Sequence, residues 1–375
     1  MNGGIKLGRI FGIQIKLDIS WFIILFLVII SMLTIVPEGP DWLRWIWSII
    51  TALLIFGSVL AHELSHSYVA MKKGIVMRGI TLFIFGGVAE TSEEPRTAAE
   101  EFQIAAAGPE MSLLIAIICW SLVVLSPLLH LGESTVWIIN QVKLVNLALV
   151  IFNLVPGFPL DGGRLFRAVL WKATKDIRLA TRIASGTGRL FGYALMLLGG
   201  LLVWRGLMYG SGTIFNGFWL FIIGLFLEQT ARSSYQQLLL RQTLSGIKVS
   251  AVMTKTIVSI PSTMSLQEAV TEYFYKYRYS SFPVVDSGMV KGFIRLPDIK
   301  KIDHTRWNIA TVADAMIPMQ EQYLIDAEVD AIEALNQIMR SDTRKFMVTQ
   351  SGTIIGMVTL PDLMALFKIK TGLGE

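Results

Sequence analysis

Six apolar runs, each near the length needed to cross a lipid bilayer, dominate the first 230 residues. A bilayer core takes about 20 apolar residues of helix. The runs extend from Ile19 to Val36, Leu43 to Met71, Phe102 to Leu125, Thr135 to Val155, Leu190 to Leu207 and Ile214 to Leu227. Turn-forming residues interrupt them, as at Pro37-Glu38-Gly39-Pro40-Asp41 and Ser126-Pro127. Hydrocarbon offers an open backbone no hydrogen bonds, so such runs must fold as a bundle of helices. A five-span alternative lays the Ile19–Val36 run flat, but that run has no polar face. Composition agrees: 53% of residues are apolar and 16% charged, against a usual soluble level of about 25% charged. A disordered chain is excluded, and a purely soluble enzyme is not expected.

Charge then orients the bundle. Residues 1–246 carry 19 Lys+Arg and 14 Asp+Glu, whereas residues 247–375 carry 14 of each, so the net charge of +5 belongs to the apolar part. A basic bias between apolar runs marks cytoplasmic loops rather than nucleic-acid binding. With the N-terminus inside, every basic residue of this part except Arg44, Lys143 and Arg205 falls on the cytoplasmic side, and six spans return the C-terminus there. Lys143 stands among Asn140, Gln141 and Asn146, so either the outer part of the fourth span faces a wet cavity or the boundary of that span lies elsewhere. Lys6, Arg9 and Lys16 look like the flank of a signal peptide, but no small-residue cleavage site follows, so the first run is expected to be a retained helix. Cys119 is the only cysteine, which excludes a disulfide framework and a cysteine-rich metal site.

Two stretches between spans are unusual. Arg78 to Glu90, with Phe85-Gly86-Gly87 at its middle, reads as an apolar hairpin too short to span, or as a loop packed under the bundle. Asp161 to Arg189 is basic and amphipathic and reads as an interfacial connection.

The chemistry concentrates in His62-Glu63-Leu64-Ser65-His66, inside the second run. Histidines four apart lie on one helix face, where both imidazoles can hold one Zn²⁺, and the intervening glutamate can take a proton from the water completing the coordination. Ionisable groups inside a span mark function by default. Glu63 lies nine residues before Lys72, so it sits roughly 14 Å from that helix end. A catalytic zinc takes a third protein ligand. Cys119 is isolated in an apolar run, His130 falls on the far side of the membrane, and His304 belongs to the tail. Asp161 is the best remaining carboxylate, following the broken stretch Asn153-Leu154-Val155-Pro156-Gly157-Phe158-Pro159-Leu160; taken alone, it also reads as a helix cap.

These motifs resemble the site-2 protease family of intramembrane zinc metalloproteases, over residues 1 to about 230. The resemblance implies His62, His66 and Asp161 as ligands of one Zn²⁺ per chain, Glu63 as general base and Asn153 as a polar group near the substrate carbonyl. It implies a transmembrane protein substrate within the lipid bilayer and a multi-pass protein in the cell membrane of a prokaryote. Gly108-Pro109 resembles the family's opening of the third helix, and Glu110 departs from the apolar residue usual there; its charge either perturbs nearby chemistry or lies at the interface. Thr81–Val88 is a candidate strand edge for holding an unwound substrate.

The last 120 residues repeat with a period near 64. Ser281-Phe282-Pro283-Val284-Val285 matches Lys345-Phe346-Met347-Val348-Thr349, and Gly292 to Asp298 matches Gly356 to Asp362. Each unit reads as a helix, two strands and a helix opening at Pro297-Asp298 or Pro361-Asp362. The pattern resembles a tandem pair of CBS repeats, which implies an α/β module, homodimerisation and an adenine nucleotide (ATP, ADP or AMP) as regulatory ligand. The family's hydroxyl-plus-carboxylate motif is kept as Thr359 and Asp362; in the first unit Arg295 replaces the hydroxyl and only Asp298 remains. The expected fold is a polytopic α-helical membrane domain (1–232), a linker (233–246), and CBS repeats at 247–308 and 309–375. Chains of this plan also include nucleotide-gated transporters or channels and inactive scaffolds; zinc retained with peptide-bond cleavage separates the protease from both.

Overall fold

The computed structural model describes residues 4–91, 94–210, 212–320, 323–341, 345–351 and 353–373. Two compact units divide the chain, Met1–Leu238 and Leu239–Glu375.

The apolar runs form the helices α1 Ile19–Ile35, α2 Asp41–Lys72, α3 Ala98–Val124, α4 Glu133–Asn153, α6 Ile177–Tyr209 and α7 Ile214–Leu244, the last continuing past the end of the first unit, and α5 Asp161–Thr174 forms between two of them. Five of them (α2, α3, α4, α6 and α7) are long and apolar enough to cross a membrane by length and composition. The first run gives the shorter α1, whose 17 residues extend about 25 Å. Local chemistry sets the ends. The Asp18 side chain accepts from the Ser20 backbone N–H at the start of α1, and the Thr97 hydroxyl accepts from that of Glu100 at the start of α3. The stretch 161–189 is not one interfacial segment. Lys175, at φ 59°, ends α5 in the left-handed region, Asp176 caps the next helix, and residues 177–189 belong to α6. Residues 233–244, expected within a linker, continue α7.

Ahead of the expected first helix lie two strands that are not among the elements expected from the sequence. Ile5–Ile10 (β1) and Ile13–Leu17 (β2) are strands ahead of α1. With Met77–Phe83 (β3) and Gly86–Thr91 (β4) they form a four-stranded sheet in the order β1-β2-β3-β4. β2 runs parallel to β3, and the other pairs are antiparallel. Alternation explains β2: Ile13, Ile15 and Leu17 are buried against Trp21, Ile80 and Leu82, while Gln14 and Lys16 point away. The Arg78–Glu90 hairpin therefore forms, but Thr81 to Phe83 lie inside the sheet, and the terminal strand is β4.

The second unit repeats itself. Ser281–Asp286 (β5), Met289–Arg295 (β6) and Ile317–Pro318 (β7) form one three-stranded sheet; Leu324–Asp326 (β8), Lys345–Gln350 (β9) and Thr353–Thr359 (β10) form the other. The segment opening each repeat crosses to the sheet of the other repeat: Ile317 pairs with Phe293, and Thr254 bridges to Met357. Each repeat keeps its own apolar core, around Phe282 and Ile294 in one and around Phe346 and Val358 in the other.

Candidate metal centre

The helix α2 carries His62 and His66 one turn apart on a buried face. The broken chain after α4 returns Asp161 to them as the first residue of α5. Three atoms converge: Asp161 Oδ2 lies 3.1 Å from His62 Nε2 and 3.2 Å from His66 Nε2, and the two Nε2 atoms are 3.3 Å apart. The spacing fits a tetrahedral ion, because metal–ligand bonds of about 2.0–2.1 Å give ligand–ligand edges of about 3.3–3.4 Å. Among the described residues, His62, His66 and Asp161 form the one group able to hold a metal in this way.

Both imidazoles are oriented through their other nitrogen. His66 Nδ1–H donates to the Ile104 carbonyl at 2.6 Å, and His62 Nδ1 lies 2.9 Å from the Ser112 hydroxyl. Both partners sit on α3, whose close approach needs Gly108, since a methyl group there would collide with the two Nε2 atoms. A proton on each Nδ1 leaves each Nε2 lone pair directed at the point of convergence, as a metal-binding histidine requires.

A cavity of about 640 Å³ opens over the trio and is lined by α2, β4, the α4–α5 connection and α7. Glu63 and Asn153 both line it. β4 passes close to Glu63; a Cβ at Gly87 would lie 2.5 Å from Glu63 Cγ, so a larger residue at that crossing would have to displace the Glu63 side chain. Phe85, at the hairpin turn, stacks on Phe226 of α7 with ring centroids 4.3 Å apart.

Two groups invisible to sequence reasoning support this geometry. Glu101 on α3 and Arg167 on α5 form a buried ion pair, with Arg167 Nε 2.7 Å from Glu101 Oε1 and its guanidinium 4.9 Å from the Phe158 ring. The pair ties α5, and with it Asp161, to the helix that orients the histidines. Asn146, expected beside a wet cavity, is instead buried and donates to the Ser58 hydroxyl at 3.0 Å. Glu110 is exposed on α3 and does not line the cavity of the trio.

The sequence profile of Peptidase family M50 matches residues 50–142 and 128–199, and that of the CBS domain matches residues 249–304. The Synechocystis protein sll0528 is 32% identical over 364 residues, covering 96% of this chain and 94% of that protein. The chain belongs to the site-2 protease family, peptidase family M50. A protein named zinc metalloprotease MJ0392, of Methanocaldococcus jannaschii, is 31% identical over 98% of this chain and 97% of its own. The solved site-2 protease from the same organism aligns with 62% of this chain and 95% of its own at 31% identity, with a TM-score of 0.44. This M50 member is thus a multi-pass membrane protein with a C-terminal CBS region.

In that region the two unit-closing carboxylates differ. Asp298, 4% exposed, accepts from Arg295 Nε at 2.6 Å and from Lys301 Nζ at 2.8 Å. Arg295 first, then Lys301, hold its carboxyl below the usual range against the effect of burial. Asp362 instead accepts from the Thr359 hydroxyl at 2.6 Å and from the Thr359 backbone N–H at 2.9 Å. Lys345, at the start of β9, donates to the Ser281 carbonyl at 3.2 Å, and burial pushes its ammonium down to about 8.

Proposed function

We propose that this protein is an intramembrane zinc metalloendopeptidase that cleaves transmembrane segments of other proteins. The observation that carries this reading is the convergence of His62, His66 and Asp161 at tetrahedral spacing beneath a cavity within an apolar bundle. These three side chains would hold the metal. A zinc ion held there would supply Lewis acidity to the scissile carbonyl and would make water a nucleophile at neutral pH. Glu63 takes the proton of the attacking water and delivers it to the leaving amide nitrogen. Asn153 donates a hydrogen bond to the substrate carbonyl, where negative charge develops. A transmembrane helix hides its carbonyls in internal bonds, so the substrate must unwind; the edge of β4, close to Glu63, pairs with the extended stretch as an added strand. With the N-terminus and the tail cytoplasmic, the site lies nearer the cytoplasmic face of the bilayer.

The tail binds an adenine nucleotide and modulates cleavage, with Thr359 and Asp362 at the stronger site, and pairs with the tail of a second copy. Binding at Asp298 must displace Arg295 and Lys301 from the carboxylate, which makes the first site the weaker one. Purified full-length protein, reconstituted with a membrane-anchored test substrate, should cleave it, stop on removal of zinc and resume on zinc addition. Cleavage indifferent to zinc would refute the proposal.

A further inference from the structure

The histidines occupy one side of α2, and a second cavity lies on the other. This groove, about 560 Å³, runs between α2 and α3 and is walled by Ala61, Ser65 and Tyr68 from one helix and Ala107, Met111 and Leu114 from the other. Glu110 lines it and is exposed. The glutamate sits twelve residues into the 27-residue α3, level with Ala61 and Ser65, and therefore at the depth of the metal centre. No hydrogen bond or ion pair engages its carboxylate among the described residues. The nearby Ser65 hydroxyl is spent on the Ala61 carbonyl, 2.8 Å away. Lipid tails cannot satisfy an acidic group at this depth, and such residues in spans almost always meet a partner.

We infer that the α2–α3 groove docks a transmembrane helix of another protein, one that presents a basic side chain to Glu110. Charge selects the cation, and Ala61, Ser65 and Ala107 are small enough to let a helix backbone approach closely. A second copy of this chain does not fit. Twofold pairing about the membrane normal keeps each residue at its own depth, so a second copy could meet Glu110 only with a cation at that depth. Lys143 follows Val142, which shares a buried apolar cluster with Cys119, nine residues farther along α3 and about 13 Å from the level of Glu110. Because the groove lies on the opposite face of α2 from the proposed catalytic cavity, its occupant is an accessory helix and not the segment being cleaved.

The test uses full-length protein in phosphatidylcholine vesicles and two labelled leucine-rich transmembrane peptides, alike except that one carries a single lysine at the depth of Glu110. Energy transfer should show the lysine peptide binding about tenfold more tightly, a preference that Glu110→Leu abolishes. Ala107→Leu, which fills the groove and keeps the charge, should weaken binding of both peptides. Zinc content of each variant reports whether the bundle has folded. Equal binding of the two peptides would overturn the inference. So would a lysine preference that survives Glu110→Leu, or self-association of the protein that Glu110→Leu removes and the lysine peptide does not compete with.

Discussion

The membrane unit and the tail both bury carboxylates, but they balance them differently. In the tail, Asp298 is met by Arg295 and Lys301, each three residues away, and the closest partner of Asp362 is Thr359 at the same spacing, with a longer 3.4 Å contact from the Thr254 hydroxyl. In the membrane unit, Asp161 meets His62 and His66 nearly a hundred residues away, and Glu101 meets Arg167 across 66 residues. Local partners survive any rearrangement of the fold. Distant partners exist only while several helices hold their places, so the membrane unit stakes its site on tertiary structure. Water does not compete there, and an orphaned charge has nowhere to turn.

The contrast can be broken first at Asp161. Asp161→Ala removes one of the three converging atoms proposed to hold the metal and should abolish both retained zinc and activity, a loss beyond about a thousandfold. Elemental analysis and a cleavage assay on purified protein check it; normal occupancy would remove Asp161 from the metal. Next is Arg167→Leu, which leaves the Glu101 carboxylate buried and uncompensated. It should destabilise the membrane unit by about 3–5 kcal/mol, measured as thermal unfolding in detergent. A melting temperature unchanged from that of the parent protein would show that the pair contributes nothing.

Ser112→Ala sharpens the comparison on a smaller scale. It deletes the hydroxyl beside His62 Nδ1 while keeping all three ligand atoms, and metal affinity should fall about 10–100-fold. Competition with a zinc chelator reads this directly. The tail should yield the smallest effects, because the shortest contacts of its carboxylates are local. Asp362→Ala should weaken binding of an adenine nucleotide by about tenfold, and Asp298→Ala by less, since Asp298 is already held by two cations. Titration calorimetry on the full-length protein with ATP, ADP and AMP distinguishes them; the reverse order would discard the assignment of unequal sites.

The same distinction explains what the sequence disclosed. Repetition made the tail legible, because a period near 64 places matching residues at matching points of two sheets. Apolar length exposed the long helices, and helical spacing exposed the His62–His66 pair. The convergence of Asp161 on the histidines was reachable because few other candidate ligands remained. Pairings without periodicity were not reachable: Glu101 with Arg167, His62 with Ser112 and Asn146 with Ser58 each join separate helices. The N-terminal strands did leave a signal in Ile13-Gln14-Ile15-Lys16-Leu17, a strict alternation, but the nearby Lys6, Arg9 and Lys16 read more readily as a helix flank. For the 161–189 segment, amphipathicity carried past the break at Lys175, which only the backbone reveals.

Glu63→Gln tests the central claim most directly, since it changes the proposed base and none of the converging ligand atoms. Zinc content and substrate cleavage should be measured on the same purified preparation. Zinc occupancy should be full and cleavage reduced about 10²–10⁴-fold. Cleavage near the parent rate with zinc still bound would contradict it.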